Sequence, residues 1–176
     1  GLGDTLAKYL ESTFSARGDE LGGALDHMSA IGVSLSSTCY DPIIRFGRQA
    51  LSEVDRHEAG PAMEMCARSV ILSAGLVSLM ADDNYNCALA HAVCYGLQHF
   101  EHVEREYLHG DLVAYGALVQ LAVDGQLDKA RELRAFLVSL GTPVTLAQMH
   151  VPLEKAALHD ALIEATTGPD MAHIPY

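Results

Sequence analysis

The sequence predicts an all-α domain, on three observations. Apolar residues recur at helical spacing almost throughout, helix starts and stops punctuate the chain at regular intervals, and no run alternates as a half-buried strand does. With 176 residues, 49% of them apolar and 19% charged, one domain with a substantial core is expected.

The elements follow in order. Asp4 is placed to cap a first helix through residues 6–14, and the charged run ARGDE at 16–20 reads as its end. A second amphipathic run covers 21–33. Asp41 followed by Pro42 reads as an N-cap and first helical residue, with the helix running over 43–57 to the Gly60-Pro61 stop. Pro61 opens a long apolar helix over 62–81. Its most apolar part, SVILSAGLVSLM at 69–80, is too short to cross a bilayer and reads as a buried core helix. ADDNYN is a polar break, a helix follows over 87–100, and EHVEREYL at 101–108 reads as a charged turn. Further helices are expected from His109 through 123, over 127–140 with Gly141 and Pro143 as the stop, and within 153–167.

Bulk properties exclude several classes of function. A net charge of −12, with eleven scattered basic residues, argues against a nucleic-acid or anionic-membrane partner. There is no secretory pattern at the N-terminus. Cys39, Cys66, Cys87 and Cys94 form no CxxC pair, so they read as free thiols in a reducing, cytoplasmic compartment. Without strands, neither a GxGxxG nor a P-loop nucleotide site is available. The ends suggest one domain of a longer polypeptide.

The chemistry concentrates in AHAVCYGLQHFEHVEREYLHGDLVAYG, residues 90–116, which holds His91, His99, His102 and His109. A catalytic zinc or iron site needs about three protein ligands and an open position. His109 stands at a helix start, where the dipole favours the neutral, coordinating ring, and Gly110 leaves room beside it. His91 lies eighteen residues earlier, and two helices meeting at a hairpin would bring the rings together. Asp4, at another helix start, could add a carboxylate. The bland readings stand beside this one. Asp4 serves equally as a plain N-cap. His99 and His102 fit a solvated charged turn, and His27, His57, His150, His159 and His173 fit solvated side chains. Glu106-x-x-His109 is the unit of a ferritin-like di-iron site, but the nearest second pair, Asp170-x-x-His173, lies in the tail, so that reading is set aside.

Three ordered motifs then carry a resemblance. GLGDTLAKYLE is similar to a G-x-G-D-x-L-A-x-x-x-E helix, AHAVCYG to an A-H-A-x-x-x-G segment, and HGDLVAYGALVQL to an H-G-E-x-V-A-x-G-x-L-x-Q-L segment. Together they resemble the C-terminal helical domain, dehydroquinate synthase-like in fold, of the iron-containing (group III) alcohol dehydrogenases, in their glycerol dehydrogenase branch. The resemblance implies that Asp4, His91 and His109 are the metal ligands and catalytic residues. Lys8 stands where the iron-using subgroup has a further His, which favours Zn²⁺ over Fe²⁺. Cys94 stands where the branch often has another His. The implied activity is NAD-linked oxidation of a small polyol such as glycerol. NAD would be bound mainly by an N-terminal nucleotide-binding domain that residues 1–176 do not include, and the family is commonly homo-oligomeric. The alternatives are an sn-glycerol-1-phosphate dehydrogenase or dehydroquinate synthase-like enzyme, which would need a basic cluster for phosphate, and a non-catalytic helical module.

Overall fold

The computed structural model describes residues 1–22, 25–168, 171 and 174. Among them the fold is helical, as expected. The helices are α1 (Leu2–Gly22), α2 (His27–Leu35), α3 (Ser37–Asp55), α4 (Pro61–Arg68), α5 (Ala74–Met80), α6 (Leu89–Gln98), α7 (Glu101–Glu106), α8 (His109–Val123), α9 (Leu127–Ser139) and α10 (Lys155–Thr166). A π-helical turn, Ser69–Ser73, joins α4 to α5 without a break, and a 3₁₀ turn, Asp83–Tyr85, precedes α6. The main core lies between α1, α3, α6, α8 and α9, around Leu6, Ile43, Leu97, Leu112 and Leu137. A smaller cluster around Ala16, Cys39 and Val77 closes the far end of α1.

Several boundaries differ from expectation. α1 runs straight through residues 16–20 because Arg17 and Asp19 find partners outside the helix. Ala16 is fully buried, Arg17 makes a two-pronged bridge to Asp124 at 2.8 and 2.9 Å, and Tyr85 donates to Asp19 at 3.1 Å. α1 also begins at Leu2, so Asp4 sits inside its first turn rather than capping it. The second helix starts at His27 under an Asp26 cap whose side chain accepts from the Met28 and Ser29 amides; residues 23 and 24 of the expected run lie outside the described residues. α3 starts at Ser37, four residues ahead of Asp41, which leaves Pro42 inside the helix. The buried side chains of Cys39 and Ile43, on either side of it, offset the hydrogen bond that proline forgoes.

Residues 101–108 are not merely a charged turn. α7 forms there because Val103 is fully buried, while Glu101 and Arg105 pair one turn apart on the outer side.

The apolar run at 69–80 is not the buried core helix its composition suggested. Residues 61–80 form one helix, and an 18-residue stretch of it has a mean hydropathy of 1.4 with only 17% of its residues buried. Its twenty residues reach the length and apolarity of a bilayer span, as core helices of globular proteins also do. One side packs on α3 and α2 through Cys66, Ser69 and Val77, while Ile71, Leu72 and Leu79 face outward at 76%, 58% and 82% exposure.

Helix ends follow local rules. α8 and α9 stop at Gly125 (φ 73°) and Gly141 (φ 78°), where the amides of Gln126 and Thr142 fold back to Leu121 and Leu137. α3 ends in the same way, but with His57 in the left-handed position at φ 56°.

Candidate metal centre

Three helices meet where the centre forms, and their close approach depends on glycine. A Cβ on Gly3 of α1 would run into the Gly110 carbonyl and meet the Ala114 Cβ at 2.8 Å. A Cβ on Gly116 of α8 would run into the carbonyl of Ala90 on α6. The starts of α1, α6 and α8 can therefore converge, and each carries one candidate ligand near its first turn. Gly110 shows the same crowding from the other side: the space beside it is occupied by the Gly1 and Asp4 amides, at 3.3 and 3.6 Å from a built Cβ.

Asp4, His91 and His109 each offer one ligand atom, and those atoms all lie within 4.8 Å of one another. Among the described residues this is the group of His, Cys, Asp and Glu side chains placed to hold a metal. His91 Nε2 is 3.3 Å from Asp4 Oδ1, and the two imidazole centroids are 5.5 Å apart. Ligands about 2.1 Å from a tetrahedral zinc stand roughly 3.4 Å apart, a spacing that the His91–Asp4 pair matches. One carboxylate oxygen and two imidazole nitrogens are also a donor set suited to a divalent transition metal. Asp4 and His109 reach the surface while His91 is buried, so the group opens to one side.

The electrostatics come from the same contacts. The hydrogen bond from His91 holds the Asp4 carboxyl below its usual range against the cost of burial, helped by the charges of His91, Lys8 and His109. Burial alone would push His91 down. Its hydrogen bonds to Asp4 and Glu11, and their charges, outweigh burial and bring the ring up to about 9.

Two partners escaped the sequence reading. Glu11, fully buried on α1, has one carboxylate oxygen 2.6 Å from His91 Nδ1, while the other accepts from the amides of Ala88 at 2.7 Å and His91 at 2.9 Å. Gln120, buried on α8, accepts from the Ala90 amide at 3.2 Å and donates to the Leu10 carbonyl at 3.0 Å. The first amides of α6 are thus capped by side chains from two other helices. A signal for Glu11 was present. It stands seven residues after Asp4, two turns along one face of α1, in the same motif. Gln120 was marked in the same way, as the Q of the HGDLVAYGALVQL motif.

Cys94 is buried on α6, with Sγ 3.5 Å from His109 Nδ1 and 3.8 Å from Gln98 Oε1; burial pushes its thiol up to about 12. His102 is not simply solvated, since its Nε2 donates to the Met149 carbonyl at 3.3 Å. His99 is exposed. Glu106 ends α7 and His109 starts α8, so the Glu-x-x-His unit does not lie on one helix face. Its expected counterpart, Asp170 with His173, lies outside the described residues. Among the described residues no cysteine forms a disulfide.

No protein-family model matches the chain. It is 32% identical over 169 residues to hydroxycarboxylate dehydrogenase A of Escherichia coli strain K12, covering 96% of this chain and 46% of that protein. With the glycerol dehydrogenase of Pseudomonas putida it shares 28% over 170 residues, covering 96% and 45%. The crystal structure of a probable glycerol dehydrogenase from Sinorhizobium meliloti 1021 superposes with a TM-score of 0.83 at 24% identity, covering 100% of this chain and 49% of that one. Glycerol dehydrogenase from Schizosaccharomyces pombe gives 0.84 at 23%, covering 100% and 45%. Those two likenesses show the fold, which corresponds to about half of each of those chains. The chain is homologous to the C-terminal half of proteins named glycerol dehydrogenase and hydroxycarboxylate dehydrogenase. It spans about half the length of the curated relatives it matches.

Proposed function

We propose that this chain supplies the metal-binding half of a metal-dependent, NAD-linked dehydrogenase of small polyols such as glycerol. The convergence of Asp4, His91 and His109 within 4.8 Å carries the reading. Zn²⁺ is the proposed metal, held by these three side chains. Lys8, at the position that distinguishes the iron-using subgroup, supports zinc, because its ammonium donates to Asn86 at 3.2 Å and ligates nothing. A divalent metal bound there supplies Lewis acidity toward a substrate hydroxyl, while a nicotinamide cofactor accepts the hydride.

The chain's own residues do the rest. Asp4 presents an ionised oxygen to the open side, and His91 holds it from the buried side. His109, at the helix start, presents its ring toward the same point. NAD would be bound mainly by a nucleotide-binding domain N-terminal to these residues, as half-length coverage of the relatives supports. Cysteines outside any disulfide fit a reducing cytoplasm. The outward apolar side chains Ile71, Leu72 and Leu79 support self-association.

Phosphorylated substrates are the weaker reading. The two basic residues of the ligand segments are both engaged, Lys8 with Asn86 and Arg105 with Glu101 at 3.4 Å. A hydroxycarboxylate is a second candidate substrate, from the likeness to hydroxycarboxylate dehydrogenase A. The test is His109→Ala in the full-length protein, with bound metal counted and NAD⁺ reduction followed on glycerol, glycerol 1-phosphate and a hydroxycarboxylate. Both metal and activity should be lost with the variant, and glycerol should be the favoured substrate. Activity retained without metal would overturn the reading.

A further inference from the structure

We infer that Glu11 is the positioning residue of this centre, fixing which nitrogen of His91 carries the proton; the inference rests on the metal reading above. Both carboxylate oxygens of Glu11 are committed. Oε1 accepts two backbone amides at the start of α6, those of Ala88 and His91. Oε2 lies 2.6 Å from His91 Nδ1. An ionised carboxylate only accepts, so it requires a proton on Nδ1. In the neutral ring the lone pair then falls on Nε2, the nitrogen 3.3 Å from Asp4 Oδ1 and on the side of His109. One residue therefore places both the backbone and the ring of His91.

The amide caps alone do not require a carboxylate. A glutamine could accept the same two amides through its one carbonyl oxygen. Its NH₂ would then face Nδ1 as a donor, forcing the proton onto Nε2 and blocking coordination there. Glu11 and Asp4 stand two turns apart on one face of α1, and His91 spans the gap between them. His109 has no such anchor. Its Nδ1 faces the Cys94 sulfur at 3.5 Å, a weak acceptor, and the ring is exposed. Firm orientation of the centre thus falls to the Glu11–His91 pair, in the manner of carboxylates behind metal-binding histidines elsewhere.

Glu11→Gln in the full-length protein tests this, because it keeps the size of the side chain and the amide caps. Zinc affinity, read by competition with a chromophoric chelator, should fall 10- to 100-fold while helicity by circular dichroism is unchanged. The ¹⁵N shifts of the neutral His91 ring at alkaline pH should show Nδ1–H in the wild type and Nε2–H in the variant. A variant that binds zinc as tightly as wild type overturns the inference and leaves the metal reading standing. A wild-type protein that takes up no zinc overturns the metal reading and the inference with it. If the variant does not fold, an Nε2–H ring in the wild type still refutes the role given to Glu11.

Discussion

His91 lies between the carboxylates of Asp4 and Glu11, and the pH response of the protein follows from that placement. Its folded-state value of about 9 lies above the ordinary imidazole value of 6.5, so the protonated ring favours the folded state. That contribution is fully present below pH 6.5 and is lost as the pH rises through about 9. Protein freed of metal should lose stability across that window, by up to about 3 kcal/mol, as read by urea unfolding at several pH values. Zinc needs the same ring without its Nε2 proton. Its affinity should therefore climb with pH until about 9, the opposite trend. Metal titrations across the range check it, and an affinity flat in pH would exclude His91 as a ligand.

Among the elements, packing distance between helices decides whether the ligands meet. Gly116 lets α8 lie against the Ala90 carbonyl of α6, one residue from His91. Gly116→Ala should cost about 1–3 kcal/mol by thermal unfolding, because backbone rather than a flexible side chain must move. It should also weaken zinc binding by displacing α6 from α8. The end of α3 makes the opposite case. His57 closes that helix at φ 56°, a conformation that costs a residue with a Cβ about 1 kcal/mol and glycine almost nothing. His57→Gly should raise the melting temperature, with metal binding unaltered.

For the whole molecule, the distribution of apolar surface is the informative feature. Ile71, Leu72 and Leu79 stand outside both cores, so Ile71→Lys and Leu79→Lys should change stability by no more than about 0.5 kcal/mol. Light scattering on the same variants should show reduced association. A large loss of stability would mean that this face is covered in the folded protein.

Much of this was legible in the sequence, and the reasons differ by feature. The helical class, the start of α8 at His109 and the stop at Gly141 depend on short-range patterns: apolar spacing, dipole preference and the left-handed freedom of glycine. Asp4, His91 and His109 could be named as a set because their motifs keep their order along the chain. Contacts between distant residues were not legible. Residues 16–20 continue α1 because Asp124 and Tyr85 receive its charges, and Pro42 stays helical because its neighbours are buried. Helix 61–80 shows its apolar side to the surface because composition specifies hydrophobicity but not which face finds a partner. The Glu11 contact joins residues 80 apart in the chain, and that of Gln120 spans 110. By itself, then, the sequence determined the helices and the identity of the candidate ligands, since both are properties of local stretches. Only the tertiary structure decided how the ligands converge and what orients them, because hydrogen bonds and close helix packing across the core depend on three-dimensional proximity.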